Sequence, residues 1–372
     1  MKRLIIAVYT VLVAIATNPI YAMQTTELYD VKPGKELEIN LEAGGSASVR
    51  GWDRNNMELK MSIRRGDLED YEVEVKESRS GIKIDVTSRR GWRDSNGHLH
   101  LDIKIPNRFD VEIHTKGGDI ALEDIEGIFE GKTMGGDIDL RGLTGEIGLT
   151  TMGGDIDISD SHLEGRVHTM GGDIQMDEVS GDLKSTTMGG DVAYDNNALE
   201  STDEAIRISS MGGDIELESV PNGARVKTMG GDIEIGVAKK YADARTMGGD
   251  IEIRSIDGWV SASTMGGDVT VRMDGDPSEG DRHVELSSKG GDITLSVPGE
   301  LSMNVDITLA YTKNSRPYSI YSDFELQIEE TEKWVSKFGG PRKYIYGKGK
   351  INGGQNKIII ETINGNVRLV KN

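Results

Sequence analysis

From residue 111 to residue 297 the chain repeats one arrangement of apolar and polar positions, each copy anchored by an aspartate. These are Asp119, Asp137, Asp155, Asp173, Asp191, Asp214, Asp232, Asp250, Asp268 and Asp292, with steps of 18 residues except two of 23 and 24. With the aspartate as position 0, position +1 is always Ile or Val, from Ile120 through Ile293. Position +3 is again apolar (Leu122, Leu140, Ile158, Leu217, Ile253), while +2 is mostly acidic or small. Alternation with period two predicts a strand with one face buried. Upstream, positions −8 and −6 are mostly apolar, as in Ile147 and Leu149 or Ile206 and Ile208, and their neighbours are mainly polar. Position −4 is always Thr or Ser, and two glycines precede the aspartate. Each unit therefore reads as strand, glycine turn, strand and a second bend. That bend often carries an aliphatic at +6 and a glycine near +8.

A supersecondary unit on a fixed period predicts stacking, not a mixed globular core. The expected fold is all-β: a single-stranded β-solenoid, right-handed, of about ten 18-residue coils. Each strand pairs in parallel and in register with its copy ~4.8 Å away. Residues 23–110 lack the repeat but alternate similarly and are expected as an N-terminal β cap. Residues 111–297 form the array. Residues 298–372 form a C-terminal cap with a degenerate final coil at Asn364-Gly365-Asn366 and a short helix over Glu325–Lys337. The long steps place insertions near Asp195–Glu204 and Asp274–Asp281, on a rim where solenoids often bind.

The start of the chain changes the setting. Lys2 and Arg3 precede an apolar run from Leu4 to Ala16, broken by Asn18-Pro19 and followed by Ala22. This predicts a secretory signal over residues 1–22 and an exported protein, with an uncleaved anchor as the alternative. The run is short of the ~20 residues a membrane helix needs, and no later segment could span a membrane. The formal charge of −20 repels nucleic acid and anionic lipid. Cysteine is absent, so no disulfide supports the fold.

Several motifs outside the array carry a resemblance. They are Val31-Lys-Pro-Gly34 leading into Leu37-Glu-Ile39, Val49-Arg-Gly-Trp-Asp53, Ile105-Pro106 before the first glycine turn, and the closing Thr362-Ile-Asn-Gly-Asn-Val-Arg-Leu369. With these the chain resembles the bacterial putative-adhesin family, a domain of unknown function built of short β-strand repeats. It also looks like a relative of autotransporter-adhesin head domains. The resemblance implies adhesion and supplies no catalytic residues.

Candidate chemistry lies in the repeated columns. The aspartates either accept hydrogen bonds from turn amides, as in Asx turns, or form a calcium-binding strip with the +2 acids. The candidates for that strip are Asp137 with Asp139, Asp155 with Asp157, Asp232 with Glu234, and Asp250 with Glu252. The methionines at −3 (Met134, Met152, Met170, Met188, Met211, Met229, Met247 and Met265) are either turn filler or an exposed stripe that contacts a partner. His98 and His100 share a strand face, as solvated polar residues or half of a metal site. Trp259 is either a packed edge aromatic or a sugar-stacking ring. A repeat spreads the same groups many times, which suits avidity over a single active centre. The expectation is a non-enzymatic binding or structural protein without a cofactor, whose partner is a surface glycan or envelope protein. A calcium module and a polysaccharide-cleaving enzyme are the alternatives.

Overall fold

A computed structural model describes residues 24–63, 68–89, 99–196, 206–313, 316–337 and 340–372. The expected signal segment and His98 lie outside these residues. The chain divides into two compact units, the first ending at Val179 and the second beginning at Ser180. Apart from the 3-10 turn Leu68–Asp70, every regular element among the described residues is a strand. No helix there is long and apolar enough to cross a membrane.

In the first unit the repeat stacks as its period requires. Strands Ile120–Glu123, Ile138–Arg141 and the start of Ile156–His168 pair in parallel, Ile138 opposite both Ile120 and Ile156. The upstream strands do the same: Phe129 of Glu126–Lys132 lies opposite Val111 and Ile147. Every partner is one period away, so like side chains form buried columns such as Ile120, Ile138 and Ile156. Burying each of these aliphatics stabilises by roughly 1.5–3 kcal/mol relative to exposure.

The region expected as a cap contributes a coil of its own. Lys35–Leu41 pairs in parallel with Phe109–Thr115, and Ser46–Trp52 with Ile120–Glu123. On their other edges these two strands pair in parallel with Gly81–Ser88 and Leu99–Pro106. Residues 35–52 are thus slotted between later parts of the chain. Antiparallel strands then end the stack: Tyr71–Glu77 against Gly81–Ser88, Asn56–Ile63 against Leu99–Pro106, and Gln24–Asp30 against Asn56–Ile63.

The second unit uses the same device at the chain's end. Its columns run Val192, Ile215, Ile233, Ile251, Val269, Ile293 and then Val367. Asn356–Ile363 and Val367–Lys371 form the expected final coil, yet it is not outermost. Met303–Thr312 and Ile320–Ser322 pair in parallel on its far side. Gly340–Ile351 lies antiparallel to Met303–Thr312. The helix expected over Glu325–Lys337 is not formed. Gln327–Glu330 and Val335–Lys337 are strands antiparallel to Gly340–Ile351. An open sheet edge overrides the helical preference of this charged stretch.

Candidate functional site

The glycine turn is a hydrogen-bonded edge linking each coil to the next. In the first unit Thr133 Oγ1 donates to the Gly118 carbonyl at 2.8 Å and accepts the Gly136 amide at 3.2 Å. Thr151 and Thr169 repeat both bonds one and two coils on. In the second unit Thr228, Thr246 and Thr264 do likewise, and Ser210 and Ser288 substitute where threonine is missing. Only a small side chain that both donates and accepts fits this role, which explains the invariant Thr or Ser at −4.

The second glycine of each pair is fixed by close approach. A Cβ on Gly136 would lie 2.1 Å from the Gly118 carbonyl oxygen, and one on Gly231 would lie 2.2 Å from that of Gly213. The first glycine is freer, since a Cβ on Gly135 would meet nothing within 4 Å.

The aspartates bind backbone, though not the amides of their own turns. Asp119 Oδ1 accepts the Asp137 amide at 3.1 Å, and Asp137 Oδ1 accepts that of Asp155 at 2.9 Å. In the second unit the series from Asp191 to Asp292 continues at 2.7–2.8 Å, each carboxylate receiving the next coil's amide. Neutral residues finish the ladder: Ser46 Oγ accepts the Asp119 amide, and Asn366 donates to Asp292. Repulsion between carboxylates ~4.8 Å apart costs about 0.9 kcal/mol at water's dielectric. A hydrogen bond to a charged group contributes roughly 1.5–3 kcal/mol, so the ladder is net stabilising.

The cation candidates are placed accordingly. Asp137, Asp155, Asp232 and Asp250 each have one oxygen engaged in the ladder. Asp139 and Asp157 are register partners on the adjoining face, as are Glu234 and Glu252. Burial, followed by the charge of Asp157, Asp137 and Asp119, pushes the Asp139 carboxyl above its ordinary value. Asp157 is raised by burial and by Asp155 and Asp137. Glu234 forms an ion pair with Arg254. Among the described residues no three His, Cys, Asp or Glu side chains form a group that could hold a metal ion.

The methionines stand out from this edge. Met134, Met152 and Met170 in the first unit, and Met188, Met211, Met229, Met247 and Met265 in the second, are 40–54% exposed. The turn's interior is occupied by the buried Thr side chains and the close glycine backbones, and the methionines lie outside it. His114 bonds Glu112 at 2.8 Å, and His283 is held by Asp281. Trp259 is half-buried and stacks on Tyr241, with ring centroids 4.8 Å apart and planes within 9°. Its packing partner is thus an aromatic one coil away.

The opposite bend of the second unit holds a feature the sequence reading missed. Arg282 is only 2% exposed. Its Nε donates to the Glu279 carbonyl at 3.0 Å, Nη1 to the Asp274 carbonyl at 2.7 Å, and Nη2 to Asp257 Oδ1 at 2.6 Å. The insertion expected near Asp274–Asp281 is folded around this guanidinium. A cleft of about 610 Å³ opens beside it, lined among others by Val237, Lys239, Lys240, Asp257, Glu279 and Arg282. The sequence signal for it was the 24-residue step, with one arginine following a run of acids.

Solved structures similar to the chain include the following three. One is a putative cell adhesion protein from Clostridium sporogenes ATCC 15579, at 11% identity over 94% of this chain and 100% of its own, TM-score 0.20. Another is a putative adhesin from Parabacteroides distasonis ATCC 8503, at 12% identity over 71% of this chain and 96% of its own, TM-score 0.35. A third is a putative adhesin from Bacteroides fragilis NCTC 9343, at 16% identity over 73% and 95%, TM-score 0.28. No match was found among curated proteins. Residues 34–237 and 204–369 each match one β-repeat family, and together they span most of the chain. With its stacked coils, this protein belongs to the Toastrack DUF4097 family.

Proposed function

We propose that the protein is an exported, non-enzymatic binding protein of the cell envelope, adhesin-like in role, whose partner is a surface glycan or an envelope protein. The observation that carries this reading is the exposed methionine column beside the glycine turn. A flexible, polarisable apolar side chain repeated coil after coil offers an adaptable contact surface, and repetition turns weak contacts into avidity. Export follows from the leader expected over residues 1–22, and kinship with autotransporter-adhesin heads is part of the same reading. The reading calls for no cofactor. A right-handed winding goes with it, supported by the twist that makes parallel β crossovers right-handed.

The test is a glycan array and an envelope-protein capture experiment. It compares the mature chain with a variant carrying Met211→Ser, Met229→Ser, Met247→Ser and Met265→Ser. Capture by the native chain, lost in the variant at unchanged thermal stability, is the expected result. Equal capture by both would refute the methionine surface. Release of reducing ends or unsaturated products from acidic or neutral glycans would refute the non-enzymatic reading.

A further inference from the structure

The two strand faces flanking the glycine turn of the second unit carry opposite charge. On the upstream face Lys184, Arg207 and Arg225 are consecutive register partners, and Lys227 lies opposite Arg245. All five are exposed. On the downstream face Glu216, Glu234 and Glu252 are consecutive register partners. Like charges placed directly opposite in a sheet destabilise it, and here both signs are so arranged. Internal compensation is partial: Asp182 pairs with Arg207, Asp243 with Arg245, and Arg254 with Glu234.

The two sets match register for register over two coils. The coil of Asp214 holds Arg207 and Glu216, that of Asp232 holds Arg225 and Glu234, and that of Asp250 holds Arg245 and Glu252. Arg207 with Arg225 and Glu216 with Glu234 therefore repeat at the same inter-strand spacing of ~4.8 Å, whereas on the third coil Asp243 takes the register place after Arg225 and Arg245 stands two residues along, opposite Lys227. A partner of another architecture would have to reproduce that spacing. A second copy of this chain has it by construction.

We propose that the basic face of one molecule docks on the acidic face of a second copy, with the coil stacks parallel and the coils of Asp214 and Asp232 in register. The stacked Tyr241–Trp259 pair sits on the basic side, and Arg225 lies over the Tyr241 ring at 5.9 Å. It supplies a large, rigid aromatic anchor of the kind that dominates interface energetics. The contact uses two different patches, so it is heterologous. It propagates into rings or open chains of molecules and does not stop at a symmetric pair. This goes beyond the envelope-binding reading and does not depend on the methionine column.

The experiment measures the mass of the purified full chain by light scattering at low salt and at about 1 M salt, where the Debye length is ~3 Å. Assemblies at low salt that dissociate to monomers at high salt are expected. Two variants separate the faces: R207E/R225E/R245E, with both faces acidic, and E216K/E234K/E252K, with both faces basic. Each alone should be monomeric at low salt, and mixing the two should restore association. If a reversed variant does not fold, the neutral sets R207Q/R225Q/R245Q and E216Q/E234Q/E252Q replace it, and each should lower the assembled fraction at least tenfold. A native chain that is monomeric at every salt concentration overturns the proposal, as does association that survives either reversal or a mixture that stays monomeric. So does a monomer that instead captures an acidic polysaccharide through Arg207 and Arg225. No glycan or envelope partner is present in the mass measurement, so its failure leaves the proposed binding role standing, and the converse holds.

Discussion

The repeated glycine turn and the Arg282 bend solve the same problem in opposite ways. At the turn, the Thr hydroxyl donates to a glycine carbonyl of the preceding coil and accepts an amide of its own turn, and the preceding coil's Asp carboxylate accepts the aspartate amide. At the Arg282 bend the inserted residues have no matching copy below them. One buried guanidinium gathers the Asp274 and Glu279 carbonyls and the Asp257 carboxylate instead. Where the period holds, satisfaction is collective. Where it breaks, a single side chain with several donors must substitute.

The comparison is broken most directly at the glycines. Gly136→Ala forces a Cβ into the Gly118 carbonyl and should cost about 3 kcal/mol or more, whereas Gly135→Ala should cost under ~1 kcal/mol. Denaturant midpoints of the two variants measure the difference, and similar values would show that coils part easily. Arg282→Met should come next at about 3 kcal/mol, since it leaves two carbonyls and a carboxylate without their cation. Limited proteolysis should then cut within residues 274–281 of the variant and leave that segment of the native chain intact. Thr228→Val removes one rung's hydroxyl and leaves the Gly213 carbonyl and Gly231 amide unmatched, at about 2 kcal/mol.

Acidification gives the smallest effect and the sharpest contrast. Asp139 and Asp157 have raised carboxyls. Their charged forms are disfavoured in the fold, so their contribution improves as pH falls through the raised value towards the ordinary one. Asp276 in the inserted loop is lowered, chiefly by its bonds to Ser278. Its contribution is complete above the ordinary aspartate value and is lost as pH falls through the lowered one. Hydrogen exchange between pH 6 and 3 should show slower opening around Asp139 and Asp157, then faster opening of the loop. Asp139→Asn with Asp157→Asn should abolish the first change and leave the second.

The array was legible because its signals are local and repeated. Ile or Val at +1 and an apolar residue at +3 gave the strands, and the 18-residue step gave the register seen between Ile138 and Ile156. The coil at residues 35–52 escaped because its turn is one residue longer. Leu41 aligns with Thr115 and Ser46 takes the aspartate's place, so Ala43-Gly44-Gly45 falls out of parity with the other turns. Arg282 escaped because its partners lie in a loop and on a neighbouring coil, and nothing in the local pattern joins them. Alternation placed the methionines outward, and only whether the glycine bend shifts that parity was left to the turn itself.

By itself the sequence determined the unit: two short strands, a glycine turn, and columns of like residues, since a period-two pattern on a fixed repeat has one way to bury its apolar face. Only the tertiary structure decided where the chain goes once that period is broken. Residues 35–52 and 356–371 are each slotted between segments distant in the chain. An unpaired strand edge accepts any backbone of compatible register, so the choice among candidate edges rests on long-range packing that no local pattern encodes.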